Sequence, residues 1–302
     1  MARFVVVGTL LAFLISAAPA APARAANAAD CPNGGVVRFG VEPFEAAARL
    51  VPAYNALAKL IGEKLGCTIE LSIPTSYNAE IEAMRAGKLE AGEFGPLGYV
   101  LARQVAHADV IATYSDAKGA PSTYFASIVT SPSTGIKSLK EIANRSFAYS
   151  DPASTSGHLF PAFALSKAGI DPDKGVKPFY AGSHTASFEA LRNHKVDAGE
   201  LNSALIDAAT TSGDYKPADF VTLWKSQPIP NDAIAVRRDL PEGFKKRFAS
   251  VLMSIPFSQL PPDVVKVFPA KGTTSFVPMP DSAYDVIRDL VSTLHIDLNK
   301  LS

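Results

Sequence analysis

Residues 150–159 read Ser-Asp-Pro-Ala-Ser-Thr-Ser-Gly-His-Leu and lie between a short apolar strand pattern and a helical one. Ser154, Thr155 and Ser156 are three hydroxyl residues in a row, and Gly157 stands where the helix should open. A helix start carries unpaired backbone N–H groups and the positive end of the peptide dipoles. Adding hydroxyl donors completes a socket suited to a tetrahedral oxyanion. Ordinary N-capping asks for one Ser or Thr, not three. His158 is read as a helix-start residue rather than a ligand contact.

A second chemical signal comes from an internal repeat. Residues 76–96, SYNAEIEAMRAGKLEAGEFGP, align without gaps on residues 183–203, SHTASFEALRNHKVDAGELNS, with nine of 21 positions identical. Each copy reads as a loop, a helix entered after Ser and a strand ending in Gly-Glu. Tyr77 and His184 are equivalent positions, as are Glu93 and Glu200. In α/β sheets, ligands gather beyond the carboxyl ends of the strands, where helix N-termini converge. Two such units facing each other would put Tyr77 and His184 on opposite walls of one cleft.

The elements that must hold these residues alternate strand and helix. Strands are expected at 36–41, 68–73, 89–94 and 110–114, with helices at 46–65, 79–86 and 96–104 between them. A second series has strands at 146–149, 176–180 and 196–200 and helices at 157–168, 187–193 and 204–211. This is an α/β pattern with parallel sheets, in two doubly wound lobes. The strand patterns 123–130 and 234–237, the latter after the Pro228-Ile229-Pro230 break, are expected to cross between lobes as a two-strand hinge. Helices 242–255 and 282–294 would return to the first lobe. The first lobe is then 31–127 plus 235–302, and the second 128–234. Trp224, the only tryptophan, is expected in the core near the second crossing.

The N-terminus reads as an export leader. Arg3 precedes the uncharged run 4–18, and Ala23-Arg24-Ala25 offers a cleavage site, so residues 1–25 are expected to be removed. Asp30 before Cys31 argues against a lipid-anchored form. The remaining 302 − 25 = 277 residues lose Arg3 and Arg24, leaving 29 − 2 = 27 Lys+Arg against 29 Asp+Glu. A net charge of about −2 provides no general field for nucleic acid or an anionic membrane. Cys31 and Cys67 each precede a strand pattern, and parallel neighbouring strands would bring the thiols to one sheet end. A disulfide is expected there, with two buried free thiols as the alternative.

Several segments then resemble, in order, the phosphate/phosphite/phosphonate-binding periplasmic proteins of ABC importers, the PhnD-like family of the type II periplasmic-binding fold. They are FGVEPFE, Tyr77 ahead of IEAMRAG, FGPLGYVLA, TYFASIVT, DPASTSGHLFP, GSHTAS, VDAGELNS and PIPNDAIAVRRDL. The resemblance implies a soluble, monomeric periplasmic protein that captures a phosphonate by hinge closure and hands it to a permease and ATPase at the inner membrane. It implies that Ser154, Thr155 and Ser156 hold the phosphonate oxygens. His184 would donate from the same lobe and Tyr77 from the opposite wall, and Tyr124 on the connecting strand would close the side. Glu200 and Asp232 match the carboxylates with which members binding 2-aminoethylphosphonate hold the ammonium, a need that a ligand without an amine lacks. Phosphite, phosphate or another alkylphosphonate are the alternatives. Glu93 departs from the family, which more usually has an apolar or aromatic residue there, and is expected near the first-lobe cleft mouth.

Catalytic readings rank lower. Ser154 or Ser156, His184 and Asp232 supply triad residue types, but no G-x-S-x-G elbow is present. The five histidines show no H-E-x-x-H spacing, and no phosphate-loop or dinucleotide fingerprint occurs, so no cofactor or metal is expected. An exported Ser/His hydrolase of phosphonate esters is the alternative of another class, and a sensor rather than a transporter the alternative partner.

Overall fold

The computed structural model describes Met1 and residues 31–297. The expected leader, residues 1–25, otherwise lies outside the described residues.

Helix α1 (Ala47–Leu65) shows how sequence becomes packing. Leu50, Tyr54, Leu57, Ile61 and Leu65 recur at helical spacing and are all buried, with Leu60 partly so. That stripe lies in one cluster with residues of β1 (Val36–Val41) and of α7 (Glu242–Met253), whose Phe244, Phe248 and Leu252 share the same core. Strand β2 (Thr68–Ser72) pairs parallel with β1, Val36 opposite Thr68. The neighbouring strands bring Cys31 and Cys67 together as a disulfide with Cα atoms 5.9 Å apart.

The chain continues through α2 (Tyr77–Arg85), β3 (Ala91–Phe94), α3 (Pro96–Val105) and β4 (Ala108–Tyr114). A two-residue strand, β5 (Thr123–Tyr124), leads into β6 (Ala126–Thr130). Then come β7 (Ser146–Tyr149), a π-helical turn (Thr155–Leu159), α4 (Phe160–Lys167), β8 (Lys177–Tyr180), α5 (His184–Arg192), β9 (Ala198–Asn202) and α6 (Ser203–Ser212). Strands β10 (Val221–Lys225), β11 (Ile229–Pro230) and β12 (Ala233–Arg237) follow. After α7 come α8 (Pro262–Val265), β13 (Phe276–Val277) and α9 (Asp285–Thr293), which packs Ile287 and Leu290 into the cluster containing Tyr99 of α3.

Two principal sheets result, in the orders β13-β4-β12-β3-β1-β2 and β10-β6-β9-β7-β8. They correspond over four strands: β2-β1-β3 and β8-β7-β9 are parallel, and each is followed by an antiparallel strand, β12 or β6. The sheets are therefore mixed rather than wholly parallel. The reason is the crossing itself: β6 and β12 are the strands that have just arrived from the other lobe, and they enter running the opposite way.

The crossing differs from the expected one in two respects. The run 123–130 breaks at Phe125, and its first two residues pair with Ile229 and Pro230 in a separate two-stranded sheet. Ile229–Pro230 is thus the second crossing strand, whereas β12 lies wholly within the first sheet, between β3 and β4. Proline is tolerated in so short a strand because an edge position needs no donor from it. The sequence boundaries at 127/128 and 234/235 accordingly fall inside β6 and β12. Strand β10, beside β6 at the edge of the second sheet, has no counterpart in the sequence pattern; Trp224 sits on it, half-buried against two core clusters.

Candidate functional site

The two halves of the repeat are built alike from the first residue. Ser76 and Ser183 have φ/ψ of −156°/164° and −156°/163°, and each side chain accepts the N–H of the residue three positions on, Ala79 or Ala186. Those caps start α2 and α5 at Tyr77 and His184, two and three residues earlier than periodicity suggests. Tyr77 and His184 are therefore first-turn residues at helix starts, and both are buried.

The hydroxyl run sits at the third helix start. Ser154 caps it by accepting the Gly157 N–H at 3.1 Å. The turn then closes with π spacing, a feature common at functional sites: His158 and Leu159 N–H both reach the Ser154 carbonyl. Thr155 and Ser156 N–H belong to the first-turn set that a helix cannot satisfy internally. Gly157 is required by close approach, since a Cβ there would lie 1.7 Å from Ser150 Oγ. Tyr124, on the hinge strand, has its hydroxyl toward those of Ser156 and Thr155.

Tyr77, Tyr124, Ser154, Thr155, Ser156, His184 and Asp232 line a single cleft between the sheets, with a volume of about 70 Å³. One water needs roughly 10–15 Å³ by the same measure, so the space suits a ligand of a few heavy atoms. Burial, and then nearby carboxylates, push the Tyr77 and Tyr124 hydroxyls well above the ordinary tyrosine range, so both stay O–H donors at neutral pH. Arg49 and Lys266, which also line the cleft, are exposed, and Arg49 is paired with Glu45.

Glu200 is placed differently from the other sequence-predicted residues. It does not line the cleft; it is fully buried, with both carboxylate oxygens 3.0 Å from His184 Nδ1. The pair leaves His184 Nε2 toward the cleft, 3.5 Å from Ser154 Oγ. Glu93 is corrected outright. It is not at the cleft mouth but in the first-lobe core, where Tyr54 and Tyr114 hydroxyls donate to it at 2.7 and 2.6 Å. Burial pushes its carboxyl up to about 7 against those two hydrogen bonds.

The walls meet directly. The Leu97 N–H donates to Thr155 Oγ1 at 2.7 Å, the His184 N–H to the Phe44 carbonyl at 3.2 Å, and Thr185 Oγ1 to Glu45. Lys271 and Asp207 pair across the opening at 2.7 Å. Glu42, which no motif assigned a role, also lines the cleft. The described residues contain no cluster of His, Cys, Asp and Glu fit to hold a metal.

Two α/β lobes, two crossing strands and a small donor-lined cleft between them are the build of a type II periplasmic-binding protein. The chain belongs to the family described as ABC transporter, phosphonate, periplasmic substrate-binding protein, whose profile matches residues 39–284. That is a family of substrate-binding proteins, not of enzymes. The chain is 30% identical over 203 residues to the phosphate-import protein PhnD of Mycolicibacterium smegmatis, covering 64% of this chain and 63% of that one. It is 27% identical over 223 residues to the phosphonates-binding periplasmic protein of Escherichia coli, covering 72% of this chain and 65% of that one. The matches thus span just under two thirds of these relatives' lengths. Among solved structures, PhnD1 from Prochlorococcus marinus in complex with methylphosphonate superposes with a TM-score of 0.76 at 21% identity, covering 86% of this chain and 98% of that one. A binding protein component of an ABC phosphonate transporter from Pseudomonas aeruginosa gives 0.74 at 24% identity, covering 84% and 85%. Among the described residues no helix is long and apolar enough to cross a membrane.

Proposed function

We propose that the chain is the periplasmic solute-binding component of an ABC importer and that it captures a phosphonate, 2-aminoethylphosphonate first among them, by closure about β5 and β11. The single observation that carries this reading is the donor set at the π-helical turn. Hydroxyls of Ser154, Thr155 and Ser156 face Tyr77, Tyr124 and the Glu200-held His184 in a cleft of about 70 Å³. Neutral donors and a helix start suit an oxyanion, and the cleft's size suits a small one. Carboxylates in the lining favour a ligand that also carries a cation: burial, and then nearby carboxylates, push the Glu42 and Asp232 carboxyls well above the ordinary range, and a cation beside them favours their charged form. The partners are then a membrane permease and its ATPase, and the closed form is the one they receive.

The reading is tested by titration calorimetry of the leader-free protein with 2-aminoethylphosphonate, ethylphosphonate, phosphite and phosphate. Saturable binding with the aminophosphonate tightest is the expected result. Binding of phosphate alone would move the assignment to phosphate import, and no heat with any of the four would remove it.

A further inference from the structure

Glu42 lies one residue beyond β1, at the end of the strand that faces the cleft, and is 3% exposed. Its Oε2 accepts the Gly95 N–H at 2.8 Å, while Oε1 has no hydrogen-bond partner among the described residues. An orphaned buried carboxylate oxygen is costly unless something supplies a donor. Burial first, and then Glu80 and Asp232, push its carboxyl well above the ordinary range; the Gly95 N–H opposes this, and Asp151 adds to it.

Two glycines make room for it. A Cβ at Gly98 would lie 2.1 Å from Glu42 Oε1. A Cβ at Gly95 would lie 3.0 Å from Glu42 Oε2 and 3.8 Å from both Asp232 Oδ1 and Thr155 Oγ1. Glu42 Oε2, Asp232 Oδ1 and one hydroxyl of the oxyanion socket therefore surround the small space over Gly95, while the unpartnered Oε1 of the same carboxyl lies over Gly98. A zwitterion matches that layout: its anionic head meets the donors of the turn, and its cationic group lies between the carboxylates and relieves their repulsion.

We propose that Glu42 is a specificity-determining residue that, together with Asp232, takes the ammonium of an aminophosphonate, the place that the family resemblance gives to Glu200. Glu200 instead acts through His184 and serves the anion. The inference rests on the phosphonate reading of the cleft.

The test is calorimetry with 2-aminoethylphosphonate and with ethylphosphonate, which lacks the ammonium, on the wild type, Glu42→Gln, Gly98→Ala and Glu200→Gln. Glu42→Gln keeps an acceptor for Gly95 and should weaken the aminophosphonate by about 10- to 100-fold. Ethylphosphonate should be unaffected or bind more tightly. Gly98→Ala, an otherwise favourable helix substitution, displaces the carboxylate without removing it and should show the same selectivity. Glu200→Gln should weaken both ligands alike. Equal losses for both ligands in Glu42→Gln and Gly98→Ala, or unchanged aminophosphonate binding, would overturn the assignment. A wild type that prefers ethylphosphonate overturns it while the phosphonate reading stands; a wild type that binds neither ligand removes the phosphonate reading itself.

Discussion

The two copies of the repeated unit begin alike and end differently. Ser76 and Ser183 cap their helices with the same backbone angles, and both helices run nine residues. Each copy closes on a buried glutamate in its strand, Glu93 or Glu200. In the first copy that carboxylate is taken by two tyrosine hydroxyls from α1 and β4, inside the core. In the second it is taken by the histidine that opens the same copy's helix. The difference teaches that a shared scaffold fixes where a carboxylate sits but not what it does. The partner decides: His184 links one carboxyl to the cleft, while Tyr54 and Tyr114 confine the other to the core.

The largest effect expected from this contrast is on stability. The Glu93 carboxyl is raised from 4.5 to about 7 by burial, so the folded state holds its proton more tightly than the unfolded chain. Its contribution is fully present below about pH 4.5 and is lost as pH rises through about 7, a change of about 3 kcal/mol. Glu93→Gln, which does not titrate, should lose less stability over that window, as read by urea unfolding at several pH values, while phosphonate affinity stays as in the wild type. Parallel pH curves for the two proteins, or a large loss of affinity, would break the contrast.

A smaller effect is expected from the second copy. Glu200→Gln weakens the hold on His184 Nδ1 and should cost about 2 kcal/mol of phosphonate binding, in the range for a hydrogen bond to a charged group. Unaltered affinity would reduce Glu200 to the structural role of Glu93. The smallest effect concerns what the copies share. Ser76→Ala and Ser183→Ala should each lower stability by about 1 kcal/mol, and thermal melts that separate the two by much more would show the scaffold to be less symmetric than its geometry.

Local features of the fold were legible in the sequence because they are set by neighbours in the chain. The apolar stripe of α1, the capping serines and the hydroxyl run at 154–156 all announce themselves within one or two helical turns. Features set by distant partners were not. Pro230 looked like a break, and only its pairing opposite Thr123 makes β11 a strand. Strand β10 has an irregular register between Thr222 and Trp224 and lies at a sheet edge, so it lacks a clean alternating pattern. Glu93 was misplaced because its tyrosine partners are 39 and 21 residues away. Glu42 stood alone in a loop; FGVEPFE marked the segment but gave no sign that Gly95 and Gly98 clear a space for it.

Closure of the two lobes on one anion is tested most directly by solution scattering of the leader-free protein with and without saturating phosphonate. Tyr77 and His184 stand on opposite walls, so both reach one ligand only when the cleft is shut, and a ligand moves the equilibrium only through contacts made in that state. The expected result is a smaller radius of gyration on addition of 2-aminoethylphosphonate, with a weaker contraction in Tyr77→Phe. Identical dimensions with and without a ligand that calorimetry shows to be bound would contradict the two-wall site.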